Sequence, residues 1–204
     1  MELYDTEEQQ VEQIKEWFKE NGKPVVAGLV ICLGGIFGWR FYQDSVIEAQ
    51  EAASKAYTAT MTSLQNQGAD AQSAVQSFID ANKDTEYSVL AALQLAKVQV
   101  EAGQLDQAIE QLSGAKGATK DDALSTVINY RLARLHAEKQ DYQVALDTLK
   151  SITDESWQGR VAELRGDILL RQGDKDAAYI AYTEAQQDKD ASQALQMKLD
   201  DLAK

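Results

Sequence analysis

His136 is the one imidazole in this chain of 204 residues, and Cys32 is the one thiol. A metal centre needs imidazoles, thiolates or carboxylates that converge from fixed spacings, yet His136 has no second His, no Cys pair and no H-x-x-x-E/H partner beside it. Nucleophilic catalysis has no better support, since there is neither a G-x-S-x-G turn nor a glycine-rich loop that could cradle a phosphate. Asp121-Asp122 follow Thr119 in the pattern of a helix cap. Asp154-Glu155 and the cluster from Asp188 to Asp190 fall at expected turns or helix starts, where solvent and the helix dipole account for acids. The residues therefore lead us to expect no catalytic residue, no metal site and no cofactor. His136 is expected to pack at a helix junction with a hydrogen bond.

Charge narrows the partners further. The chain carries 33 acids against 20 bases, a net −13. Residues 1–40 hold seven of the acids and four of the bases, which leaves 26 and 16 beyond them. Such a surface repels a phosphate backbone, so no nucleic acid is expected as a partner. What remains is surface recognition, and that depends on which elements present the side chains.

From Asp44 onward Ala, Gln, Leu, Lys and Glu dominate, and the breaks carry Gly, Asn, Asp or Ser. The pattern predicts an all-α chain with helices near 44–66, 70–82, 86–102, 105–115, 121–138, 142–151, 155–172, 175–187 and 190–203. The breaks also align. Leu95-Ala96 leads to Gly103, Leu105, Ala108-Ile109 and Leu112; Leu132-Ala133 leads to Gln140, Tyr142, Ala145-Leu146 and Leu149. A degenerate third copy has Gly166, Gly173, Ala178, Tyr179 and Tyr182. Each copy sets a small residue twelve positions before another, and the copies are offset by 37 and then 33 residues. That period means stacked helical hairpins whose axes approach at the small residues. The pattern resembles the tetratricopeptide repeat, without that family's closing Pro or the early Trp of its first helix, and with Gln99 and His136 where an aromatic is usual. Residues 44–82 fit it poorly.

A hairpin stack offers a face lined by the first helix of each unit. The alignment directs Leu93, Lys97 and Val100 there from one unit, and Val127, Tyr130 and Arg134 from the next. Apolar surface beside two cations suits an extended or helical peptide carrying an acidic element. Taken singly, the same residues also read as ordinary core and solvated ends.

Pro24 to Trp39, PVVAGLVICLGGIFGW, contains no charge and lies between Lys23 and Arg40. At about 1.5 Å per residue it covers roughly 24 Å, and about 28 Å if Phe41 and Tyr42 extend it while Arg40 snorkels. Trp17 and Phe18 before the run, with Trp39, Phe41 and Tyr42 closing it, sit where two headgroup layers would be. The rival reading is a cleaved signal peptide, but residues 34–39 offer no small-x-small site ahead of the large aromatics. The expected organisation is a tail over 1–23, a transmembrane helix over 24–43 and a helical repeat domain over 44–204. Val11, Ile14 and Trp17 or Phe18 make the tail amphipathic, with Asn21-Gly22 as its helix stop. Gly34 and Gly38 form a G-x-x-x-G at which a second helix could approach in lipid.

The tail motif Thr6-Glu7-Glu8-Gln9-Gln10-Val11-Glu12-x-x-Lys15-x-Trp17-Phe18-x-x-Asn21-Gly22, the glycine-rich span ending Gly38-Trp39-Arg40 and the Ala-rich repeats together resemble the YfgM family of bacterial inner-membrane proteins. The resemblance implies an ancillary, non-enzymatic subunit of the Sec translocon, with a cytoplasmic N-terminus and a periplasmic tetratricopeptide-like domain. It also implies association with SecYEG and with a membrane-anchored PpiD-type chaperone, and passage of secretory protein substrates between them. The alternative it carries is regulatory: a tail that restrains a cytoplasmic stress-response regulator. Lys15, Lys19 and Lys23 before the span, against Arg40 and Lys55 after it, favour the same orientation. Reporters fused after residues 20 and 60 test it: a cytoplasm-active enzyme should work only at the first site, and a periplasm-active one only at the second.

Overall fold

The computed structural model describes residues 7–83, 85–188 and 192–202. Among them helices follow one another with no strand: α1 (Glu7–Gln67), α2 (Gln72–Ala81), α3 (Glu86–Glu101), α4 (Leu105–Ala118), α5 (Asp122–Glu138), α6 (Tyr142–Lys150), α7 (Gln158–Arg171), α8 (Lys175–Gln186) and α9 (Gln193–Leu202). Short 3-10 turns, Gly68–Ala71 and Glu155–Trp157, precede α2 and α7. The all-α expectation holds, and from Gln67 onward the helix ends fall within a few residues of the expected breaks; the helix expected to begin near 44 is instead the continuation of α1, because no Gly or Pro interrupts the chain between Gly38 and Gly68. Residues 1–6, Asp190 and the last two positions lie outside the described residues.

The chain divides into two compact units, one ending at Ala52 and the other beginning at Ala53. In the first, α1 does not stop at Asn21-Gly22 but runs on through Pro24. The expected stop fails because the Asn21 side chain, which could have capped a turn, donates instead to the Trp17 carbonyl 3.1 Å away, one turn back on the same helix. Pro24 forfeits one backbone hydrogen bond within a helix of 61 residues. Aromatic pairs mark both ends of the apolar run: Trp17 and Phe18 meet edge to face at 5.4 Å, and Trp39 lies 6.3 Å from Tyr42. The most apolar 18-residue stretch has a mean hydropathy of 1.7 and none of it is buried, making this the one helix among the described residues long and apolar enough to cross a membrane.

In the second unit, consecutive helices pair as hairpins. α3 packs on α4, α5 on α6 and α7 on α8, and neighbouring hairpins pack through α4 on α5 and α6 on α7. The C-terminal part of α1 and α2 form the first layer, where Tyr57, Met61 and Leu64 meet Val75 and Phe78. Each hairpin turn uses the same backbone device. Gly103, Gln140 and Gly173, the aligned break positions, all have positive φ (76°, 65° and 87°). Each donates its N–H three residues back, and the next residue donates five back: Gln104 to Gln99 at 2.8 Å, Asp141 to His136 at 2.8 Å, and Asp174 to Leu169 at 3.0 Å. These paired hydrogen bonds satisfy carbonyls left free at the end of each first helix. Asp174 then caps α8 by accepting from the Ala177 N–H, 3.0 Å away, as Asp121 caps α5 by accepting from Leu124 at 2.9 Å.

The small residues meet as their spacing predicts. Ala96, Ala108, Ala133, Ala145 and Ala178 are each at most 3% exposed, and Gly166 is buried with them. Leu112, Leu149 and Tyr182 fill the space beyond at 2% exposure or less. Burying a side chain of that size contributes roughly 1.5–3 kcal/mol. The third hairpin is the tightest, because a Cβ built on Gly166 would lie 2.4 Å from the Tyr182 ring. The Thr119 hydroxyl donates to Glu86 at 2.9 Å within the α3–α4 hairpin, and polar ties cross between hairpins: Arg131 donates to the Leu93 carbonyl at 3.2 Å and Arg171 to Glu138 at 2.8 Å, while Lys139 pairs with Asp106.

These geometries set opposite outcomes for two substitutions, read by chemical denaturation of the full chain. Gly166→Ala should destabilise by about 2–3 kcal/mol, since Tyr182 must leave its place. Gln140→Gly should stabilise by about 1 kcal/mol by relieving a left-handed non-glycine residue.

Candidate functional site

The six positions expected on the first-helix row occupy different surroundings. Leu93, at 5% exposure, belongs to the core shared by α3, α4 and α5, against which Val127 also packs. Lys97 and Val100 are exposed on α3, and Lys97 lies 3.8 Å from Glu101. Lys97 lines a crevice of about 620 Å³ together with Tyr57 and Met61 of α1. Arg134 is exposed on α5 and borders a different crevice, of about 100 Å³, with Leu164 and Asp167 of α7. Among the described residues, therefore, Lys97 and Arg134 serve separate parts of the row.

Tyr130 anchors the richer part. Its ring packs 5.4 Å from Trp157, just ahead of α7, and the Arg160 guanidinium stacks 5.1 Å from the Trp157 ring. Burial raises the Tyr130 phenol above its ordinary pKa, and the fields of Arg134, Glu163, Asp167 and Lys198 reach it. Two aromatics thus sit beside charges of both signs. Such a surface can take apolar side chains flat against its rings and hold polar groups by directed hydrogen bonds.

Beside it, α9 is fastened by a half-buried ionic cluster. Lys198 donates to Glu163 at 2.9 Å and Asp167 at 2.6 Å and stands 5.4 Å above the Tyr182 ring. The Tyr182 hydroxyl donates to Asp167 at 2.7 Å, and Ser192 to Glu163 at 2.9 Å. With every charge paired, the cluster holds α7, α8 and α9 in one arrangement. Sequence reasoning did not single out Trp157, Glu163, Asp167 or Lys198. Trp157 lies in a turn outside the helical period, and Lys198 belongs to a helix with no second repeat to align it.

The remaining candidates are ordinary. Asp121 and Asp154 cap helices, Asp154 accepting from the Ser156 N–H at 2.9 Å. His136 differs from its expectation: its Nδ1 is buried without a hydrogen-bond partner, and the nearest carboxylate oxygen, on Asp141, is 3.7 Å away. The Asp141 N–H donates to the His136 carbonyl at 2.8 Å, a turn that brings the Asp141 carboxylate near the imidazole but short of hydrogen-bond distance. No group of three or more His, Cys, Asp or Glu among the described residues could hold a metal ion. Gly34 and Gly38 carry nothing within 4 Å of where a Cβ would stand.

A family model described as a tetratricopeptide repeat-like domain matches residues 15–204. The chain is 38% identical to a protein of Escherichia coli K12 named as an ancillary SecYEG translocon subunit, over the full length of both. A protein of the same name from Haemophilus influenzae is 34% identical, covering 96% of this chain and 97% of its own. Among solved structures, that of pilF from Pseudomonas aeruginosa superposes with a TM-score of 0.60 at 16% identity, over 75% of this chain and 68% of that one. The last likeness concerns the fold alone.

The ionic cluster has a pH signature. The Tyr182 phenol is raised by burial first and then by its hydrogen bond to Asp167. Burial alone would lower the Lys198 ammonium, but the hydrogen bonds to Asp167 and Glu163 outweigh it and raise it. Both groups hold their protons in the folded chain when the unfolded chain releases them, so their stability is complete below about pH 10 and is lost as pH rises further. The melting temperature should hold from about pH 8 to about pH 10 and then fall; Tyr182→Phe should start lower and fall less steeply.

Proposed function

The chain belongs to the tetratricopeptide repeat-like ancillary subunits of the SecYEG translocon, and from that membership we propose that it is a non-enzymatic, single-pass adaptor of the inner membrane. Its N-terminus is cytoplasmic and its repeat domain periplasmic. The domain receives translocated segments at SecYEG and passes them to a membrane-anchored chaperone of the PpiD type. The observation that carries this reading is the face built by Tyr130, Trp157 and Arg160 beside Arg134, where rings and charges can grip a chain without reacting with it. Lys97 and Val100 extend the row on α3, with Leu93 and Val127 supporting it from the core. Gly34 and Gly38 leave the span open to close approach by another helix in lipid.

A second reading rests on the tail. Val11, Ile14, Trp17 and Phe18 are each about half exposed on α1, which suits a tail that restrains a cytoplasmic response regulator.

Photo-crosslinking tests the first reading. A photoreactive residue in place of Tyr130 or Arg134 should label a translocating chain or the chaperone, whereas one in place of Ile180, exposed on α8, should not. Labelling from Ile180 with none from Tyr130, Arg134 or Lys97 would place the contact on another surface. Removing the tail up to Asn21 while keeping the span should leave these crosslinks intact and should abolish regulation if the second reading holds.

A further inference from the structure

α4 contains two glycines near its C-terminal end, Gly114 and Gly117, that the chain's own packing does not explain. Glycine weakens a helix and is kept where the backbone or a close contact demands it. Neither demand applies: the positive-φ glycines are Gly68, Gly103 and Gly173, and a Cβ on Gly114 or Gly117 would meet nothing within 4 Å. Gly166 shows the contrast, because there the neighbouring ring fills the space.

The two glycines lie on the face of α4 that also carries Gln107, Gln111 and Ala118, positions spaced by three or four residues. That face borders a groove of about 730 Å³ between α2 and α4, floored by Val89 and Ala92 of α3. Gln99 also lines it, at 7% exposure, and its Oε1 has no donor. A buried acceptor left unpaired costs more than one that is satisfied, so the floor has an unfilled hydrogen bond. The rim is acidic. Asp80 meets Lys83 at 3.7 Å, whereas Glu110 has no ion pair among the described residues.

We propose that this groove docks a cationic amphipathic helix of a partner protein. Its small, apolar face lies on Gly114 and Gly117, where the missing side chains let two helix axes approach. Its lysines or arginines face Glu110 and Asp80, and a side-chain amide or hydroxyl donates to Gln99. The α4 face from Gln107 to Ala118 is about 16 Å long, matching roughly three turns of such a helix. Charge selects a cationic occupant, since the 26 acids against 16 bases beyond residue 40 attract it from a distance and the rim holds it locally. The groove lies between second helices of the hairpins, so it is independent of the Tyr130 row.

The test uses the full chain in phosphatidylcholine nanodiscs, with empty nanodiscs as blank. The probe is a fluorescein-labelled helical peptide of about 18 residues, roughly five turns, with alanine and leucine on one face and lysine on the other; its counterpart carries glutamate for lysine. The lysine peptide should bind and the glutamate peptide should not. Gly114→Leu with Gly117→Leu leaves the charge unchanged and should weaken binding by roughly tenfold or more without lowering the melting temperature, while Tyr130→Ala leaves affinity unchanged. Equal binding by the double variant, equal binding of both peptides, no binding of the lysine peptide, or loss through Tyr130→Ala would each overturn the proposal. Should the double variant melt lower, benzoylphenylalanine in place of Gln107 decides: it should crosslink the lysine peptide, and failure to do so would overturn the docking site.

Discussion

Helices in this repeat domain approach one another because nothing stands between them. Ala96 with Ala108 and Ala133 with Ala145 share a core, and Gly166 makes room for the Tyr182 ring, so side-chain bulk is removed where each hairpin closes. Leu112 and Leu149 join one hairpin to the next, and Tyr182 reaches α9 from inside its own hairpin. The domain's cohesion is therefore serial. Each core is shared by neighbouring hairpins, and stability accumulates along the stack rather than around one centre.

That serial construction leaves helix faces free for other uses. A helix in the middle of the stack is packed by its own partner and by the hairpins before and after it, so few of its positions remain outside. On α3 these include Lys97 and Val100; on α5 they include Arg134, with Tyr130 half-buried against Trp157. Polar side chains at the edges cap helices, as Asp121 does, tie the two helices of one hairpin, as Glu86 does, or cross between hairpins, as Arg171 does. The Lys198 cluster is the densest such arrangement, and it ties α9 to α7.

The unit ending at Ala52 presents a different surface. Its helix buries none of its most apolar stretch, and aromatic pairs bracket that stretch. Hydrocarbon is the environment in which such a surface is satisfied, and an unbroken backbone is what hydrocarbon requires. The continuity of α1 past Asn21, Gly22 and Pro24 fits that demand better than the local stop signals would suggest.

Composition and period determined much of this protein in advance: the helices and their breaks, the apolar span, the small residues at twelve-residue spacing and the capping acids. These are local or periodic properties, set by neighbours in sequence and by the pitch of a helix. Tertiary structure alone decided which residues share a surface. It put Leu93 in the core because α4 and α5 cover that side of α3, and it buried His136 Nδ1 without a hydrogen bond, 3.7 Å from Asp141. It brought Trp157 to Tyr130 and Lys198 to Asp167, and it opened the α2–α4 groove beside two unexplained glycines. Those contacts join residues far apart in the chain, and their positions depend on how whole helices stack, which no spacing within one helix encodes.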